Sequence, residues 1–175
     1  MPRAIDADKS APMALTDQTA IVTGAGSGIG RACALALAAE GARVVVADLR
    51  ADAAQAVGQE IFAKGGHALT VPVDVADPGS VGKLVEKTLG AFGQIHVLMN
   101  SAGIIDRRPV IEMSDSEWHR VLGVNLHGTF YCCRAVGRHM AERRYGRIIN
   151  MASDRGTYGM ANSAHYATSK GGVAS

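Results

Sequence analysis

A chain of 175 residues, 47% of them hydrophobic and 19% charged, is long enough to bury a core and too apolar to stay disordered. A net charge of +2 with 5% aromatic residues gives no basis for nucleic acid or an anionic membrane as a partner. Residues 1–14 mix Asp, Lys, Arg, Pro and Ser without an apolar run suited to a signal sequence or a membrane span, which predicts a frayed tail, one domain over 15–175 and a cytoplasmic location.

Thr19 to Thr23 reads as a buried strand. It runs into Thr23-Gly-Ala-Gly-Ser-Gly-Ile-Gly30 and then into an Ala/Leu-rich helix over 31–40, ended by Gly41. Glycine at a strand-to-helix turn lets the backbone approach phosphates, and the helix N-terminus offers N–H groups and the positive end of the helix dipole. Thr23, Gly24, Gly26, Ser27, Gly28, Ile29 and Gly30 are therefore candidate contacts to a dinucleotide. The second strand, Arg43 to Asp48, ends on an acid. A carboxylate there accepts from adenosine ribose hydroxyls and repels a 2′-phosphate, so Asp48, with Leu49 beside it, favours NAD over NADP. No basic residue lies inside the glycine turn, and Arg50 is the nearby group that could receive a 2′-phosphate.

A helix over 51–64 closes at Gly65-Gly66, a third strand covers 68–73, and a third helix covers 80–92. Asp74 and Val75 follow the third strand and could border the adenine. The fourth strand, 96–100, leads into Asn100-Ser-Ala-Gly103, where Asn100, Ala102 and Gly103 let a nucleotide pass close to the backbone. Residues 114–145 read as one long helical stretch, opened by Ser114-Asp-Ser-Glu117 with the spacing of a capping box. Arg143, Arg144 and Arg147 read as a solvated helix end, and Cys33, Cys132 and Cys133, lacking metal-ligand spacing, as reduced core or helix residues. Residues 147–151 form a fifth strand. Apolar strands without polar alternation suit a parallel sheet covered on both faces, and their alternation with helices predicts a Rossmann-type doubly wound α/β fold.

Tyr166 and Lys170 stand four residues apart, on one face of a helix. A phenol ordinarily ionises near pH ~10, and a cation at its side favours the ionised form, which suits a proton donor and acceptor. Ser153 upstream could orient the oxygen that receives the proton. His165 reads as a surface residue, with the substrate mouth as its other placement, and Asp154-Arg155 could contact substrate or pair with each other.

Thr23-Gly-x-x-x-Gly-x-Gly30, Asn100-Ser-Ala-Gly103, Asn125, Ser153 and Tyr166-x-x-x-Lys170 occur in one order, and together they resemble the short-chain dehydrogenase/reductase family. Ser101 departs from the pattern, which more often has a second asparagine there. The resemblance implies a secondary alcohol or ketone substrate, with Tyr166 as general acid/base. It implies that Lys170 promotes ionisation of the phenol and holds the nicotinamide ribose, that Ser153 bonds the substrate oxygen, and that Asn125 supports a water in the proton relay. Loop 103–109 and Trp118 are similar to those of the family's sugar and sugar-acid dehydrogenases, while 3-oxoacyl thioester reductases share most of the same motifs. The family's subunits are longer and assemble as homotetramers or homodimers. This chain is therefore expected to be a fragment with its last strands missing and strand five left as an open apolar edge. A catalytically inert NAD-binding fragment is the alternative from a different class.

Overall fold

The computed structural model describes residues 14–175, so that of the tail expected over 1–14 all but Ala14 lie outside the described residues. Five parallel strands, β1 (Thr19–Thr23), β2 (Arg43–Asp48), β3 (His67–Pro72), β4 (Val97–Asn100) and β5 (Arg147–Asn150), form one sheet in the order β3-β2-β1-β4-β5. The crossovers are α1 (Gly28–Ala39), α2 (Ala51–Ala63) and α3 (Pro78–Phe92), then the pair α4 (Asp115–Leu122) and α5 (Gly128–Arg143). After β5 come a single turn, α6 (Arg155–Tyr158), and α7 (Ala164–Ala174).

Successive strand residues point to opposite faces, and both faces are apolar here. Ile21, Val45, Ala47 and Leu98 pack with Val81, Leu84, Cys132 and Val136 in one layer. Ala20, Val22, Val44, Val46 and Met99 pack with Ala34, Val57 and Ile61 in the other. Each Val or Ile fully buried in this way contributes about 1.5–3 kcal/mol. The sheet is therefore the rigid part of the molecule.

The chain starts at β1, steps outward to β2 and β3, then returns across β1 to β4. The strand order thus reverses between β1 and β4, and in open α/β sheets ligands bind outside the carboxyl ends of the strands at such a point. β5 forms one edge of the sheet, as expected, with Ile148 and Ile149 39% and 46% exposed.

Two expectations need adjusting. The first helix begins at Gly28 inside the glycine motif rather than at residue 31, so the turn and the helix N-terminus are one unit. The stretch over 114–145 is interrupted: Gly123–His127 is a π-helical turn between α4 and α5. Such bulges insert an extra residue into the helix and re-aim side chains, and here Asn125 sits fully buried at its centre. The capping box is present, with the Ser114 hydroxyl accepting from the Glu117 N–H and the Glu117 carboxylate from the Ser114 N–H. All three cysteines are free; burial, and secondarily the neighbouring Cys133, push the Cys132 thiol up to about 12, which makes it an inert core residue.

Candidate active site

The glycine turn is shaped by two close backbone approaches. Gly24 has φ +64°, and a Cβ there would lie 2.7 Å from the Ala102 Cα; a Cβ at Gly30 would lie 2.2 Å from the Gly24 carbonyl oxygen. Both contacts are to backbone, which cannot swing aside. Ser27 caps α1 without a side-chain bond to its first-turn N–H groups, which are the donors a phosphate needs. A glycine-rich cradle at a helix N-terminus fits the pyrophosphate of a dinucleotide.

Asp48 does more than face the cleft. Its Oδ2 accepts the Gly26 N–H at 2.8 Å and its Oδ1 the Arg50 N–H at 3.0 Å, with the residue only 8% exposed. A Cβ at Gly26 would come within 2.9 Å of the carboxylate carbon. The acid at the end of β2 therefore anchors the glycine turn as well as lining the cleft. The Arg50 guanidinium is mostly solvated and 3.9 Å from the Asp48 carboxylate.

One cleft of about 550 Å³ runs along the carboxyl ends of the strands. Gly24, Ser27, Gly28, Ile29 and Gly30 form one end. Asp48, Leu49, Asp74 and Val75 form a side, and Ala102, Gly103, Tyr166 and Lys170 complete it. Thr23, Gly26, Asn100, Asn125 and Ser153 do not line it. Thr23 is buried, and its Oγ1 accepts the N–H groups of Ser101 and Ala102 at 3.2 Å each, tying the turn after β1 to the turn after β4. The Asn100 side chain points to Asn150 Oδ1 at 2.9 Å and Cys133 Sγ at 3.3 Å, joining β4, β5 and α5. These residues hold the cleft from behind.

The structure adds Val73, Ile104, Val124, Met151 and Ala152 to the walls. Met151 and Ala152 directly follow β5, so the rule that placed Asp74 and Asn100 at strand ends could have found them. Ile104 and Val124 are apolar residues of a loop and a π turn, and no pattern in the sequence marks them.

Tyr166 and Lys170 share one face of α7, with Nζ 6.0 Å from the phenol ring centroid. Lys170 is 7% exposed, burial holds its ammonium below the ordinary lysine range, and Nζ donates to the Met151 carbonyl at 2.5 Å. Asn125 clamps the neighbourhood. Its Oδ1 accepts the Ile104 N–H at 2.8 Å, and its Nδ2 donates to the Ile104 carbonyl at 2.9 Å and to Ser169 Oγ at 3.0 Å. Ser169 in turn donates to the Tyr166 carbonyl at 2.7 Å. Ser153 lies just outside, donating to Asp154 Oδ1 at 3.1 Å and accepting the Arg155 N–H at 3.2 Å. Asp154 and Arg155 pair with each other at 3.6 Å, the second of the two placements expected. α6 presses on α7 through glycine: a Cβ at Gly156 would lie 2.5 Å from the Gly171 nitrogen. His165 is neither at the surface nor in the mouth. It is 0% exposed, because α7 turns this position inward where α4 and the π turn pack against the helix.

Loop 101–113 borders the cleft with residues 101–105, and its outer part is tethered by charge. Arg120 reaches Asp106 at 2.7 Å, Arg108 reaches Glu117 at 3.2 Å, and the Ser163 hydroxyl donates to the Asp106 carbonyl at 2.8 Å. Hydrogen bonds from Ser114, backbone first and then hydroxyl, with Arg108 beside it, lower the Glu117 carboxyl from the ordinary 4.5 to about 2. A carboxyl depressed in the folded state stabilises it above 4.5 and loses that contribution as pH falls towards 2. Protection factors of the Ser114 and Glu117 amides are therefore expected to fall across that window relative to those of the strands; unchanged protection factors would detach Glu117 from the cap.

The parallel sheet, the glycine turn at its switch point and the acid at the end of β2 define a doubly wound α/β domain of the kind that binds dinucleotides. The family model described as short chain dehydrogenase matches residues 18–175, and the chain belongs to that family. It is 45% identical over 161 residues to a 3-oxoacyl-[acyl-carrier-protein] reductase of Synechocystis sp., covering 91% of this chain and 65% of that protein. It is 41% identical over 159 residues to a D-threitol dehydrogenase of Mycolicibacterium smegmatis, covering 91% and 61% respectively. Among solved structures, a short chain dehydrogenase from Mycobacterium avium superposes with a TM-score of 0.87 at 39% identity, over 91% of this chain and 60% of that one. The chain thus spans under two thirds of the length of these relatives. Members of the family use nicotinamide dinucleotides. Among the described residues no helix is long and apolar enough to cross a membrane.

Proposed function

We propose that this protein is a nicotinamide-dinucleotide-dependent oxidoreductase that interconverts a secondary alcohol and a ketone, preferring NAD to NADP. The observation that carries this reading is that Tyr166 and Lys170 line the same cleft as the glycine turn and Asp48. The dinucleotide, when bound, supplies or takes up a hydride at C4 of its nicotinamide.

The chain's own residues handle the rest. Gly24, Gly28 and Gly30 with the N-terminus of α1 receive the pyrophosphate, and Asp48 accepts from the adenosine ribose hydroxyls. Asp74 and Val75 border the adenine; Ala102 and Gly103 let the cofactor pass close to the backbone. Tyr166 gives its phenolic proton to the substrate oxygen in reduction and takes it back in oxidation. Lys170, with its ammonium close to the ring, stabilises the phenolate and turns from the Met151 carbonyl towards the nicotinamide ribose hydroxyls. Ser153 donates to the substrate oxygen once it leaves Asp154, and Asn125, with both ends of its amide engaged, keeps loop 101–113 and α7 in register and supports the relay water from its turn.

The cofactor preference is tested at Asp48. Because this carboxylate also holds the Gly26 N–H, Asp48→Ser is expected to weaken NADH binding about tenfold, the worth of one charge-assisted hydrogen bond, besides narrowing the gap to NADPH. Fluorescence titration of both reduced cofactors checks it. An unchanged preference would assign the choice to Arg50 or another group.

A polyol or sugar substrate is favoured by the 41% identity to a D-threitol dehydrogenase. A 3-oxoacyl thioester is favoured by the 45% identity to a 3-oxoacyl-[acyl-carrier-protein] reductase. Polyol oxidation with NAD and thioester reduction with reduced cofactor, run in parallel, separate the two. Assembly as a homodimer or homotetramer belongs to the same reading.

A further inference from the structure

His165 is a fully buried imidazole next in sequence to Tyr166, outside the cleft and without a part in the proton transfer described above. The first N–H groups of a helix have no partner inside it and need acceptors from elsewhere. The residue placed to cap α7, Ser163, makes no side-chain capping bond, since its hydroxyl is turned to the Asp106 carbonyl. Instead His165 Nδ1 accepts the Tyr166 N–H at 2.9 Å. With Nδ1 accepting, the ring hydrogen of the neutral imidazole sits on Nε2, and Nε2 is buried without a hydrogen-bond partner among the described residues.

That orphaned atom carries the argument. A phenylalanine or leucine would fill the same volume without a stranded polar group; neither would give the Tyr166 N–H an acceptor. We propose that His165 is a positioning residue: its buried imidazole fixes the first turn of α7 through the Tyr166 N–H and thereby sets where the phenol enters the cleft. The inference rests on the reading of Tyr166 as the acid/base.

Two substitutions separate the acceptor from the ring. In asparagine Oδ1 stands where histidine has Nδ1, so His165→Asn keeps an acceptor and loses the ring, whereas His165→Phe keeps a ring and loses the acceptor. Small displacements of a reacting group cost up to about a hundredfold in rate. His165→Phe is therefore expected to lower kcat about ten- to a hundredfold with NADH affinity within about twofold of wild type, and His165→Asn to recover most of that kcat. Equal impairment of both variants, or an undiminished kcat in His165→Phe, would overturn the proposal. If His165→Phe does not fold, ¹⁵N NMR of the wild-type ring decides. An unprotonated Nδ1 with a hydrogen on Nε2 supports the proposal, and a hydrogen on Nδ1 overturns it. Tyr166→Phe serves as the control: turnover surviving there would overturn the acid/base reading itself, whatever the His165 variants show.

Discussion

Tyr166→Phe is expected to lower turnover by a factor on the order of 10²–10⁴, the range a positioned general acid supplies, while NADH still binds. The substitution removes one oxygen from a ring that is only half-buried and leaves the helix, the Lys170 ammonium and its 6.0 Å approach to the ring in place. The loss should therefore appear in kcat rather than in cofactor affinity. Steady-state kinetics with a fluorescence titration of NADH measure the two separately. A variant with near-normal kcat would remove Tyr166 from the proton-transfer role.

Gly30→Ala should act on the other half of the site. The added carbon meets the Gly24 carbonyl oxygen at 2.2 Å, so the turn has to open, and overpacking of this kind costs about 1–3 kcal/mol. With the proposed phosphate cradle displaced, NADH affinity is expected to fall about ten- to a hundredfold, with a lowered Tm. Gly28→Ala is the contrast. Gly28 has φ +54°, but among the described residues nothing would lie within 4 Å of a Cβ there, so the substitution costs only the strain of a left-handed residue, about 1–2 kcal/mol, and should weaken binding less. If both variants bound NADH like the wild type, the turn would not be the phosphate site.

The fold was legible because its signals are local. Five apolar runs ended at turns, and β1 and β2 span the expected residues because hydrophobic strands bounded by glycine or a charged end leave little choice of register. The π turn at Gly123–His127 was not legible. It depends on Asn125 bonding Ile104, a contact across 21 residues that no helical periodicity encodes.

In the site, residue type pointed to the cleft more surely than to the contact. Glycines and acids at strand ends line it, while Thr23, Gly26 and Asn100 carry the motif and hold its backbone from behind. His165 shows the limit most plainly, since a histidine beside a catalytic-looking tyrosine reads as exposed until the packing of α4 on α7 is known.

The most direct test of hydride transfer in this cleft is the oxidation of NADH by the protein when small ketones, among them a ketose and a 3-oxoacyl thioester, are supplied. NADH is expected to be consumed with at least one of them, in preference to NADPH, and Tyr166→Phe is expected to consume almost none. A protein that binds NADH in this cleft yet oxidises it with no carbonyl compound would contradict the account and leave a dinucleotide-binding chain without the chemistry.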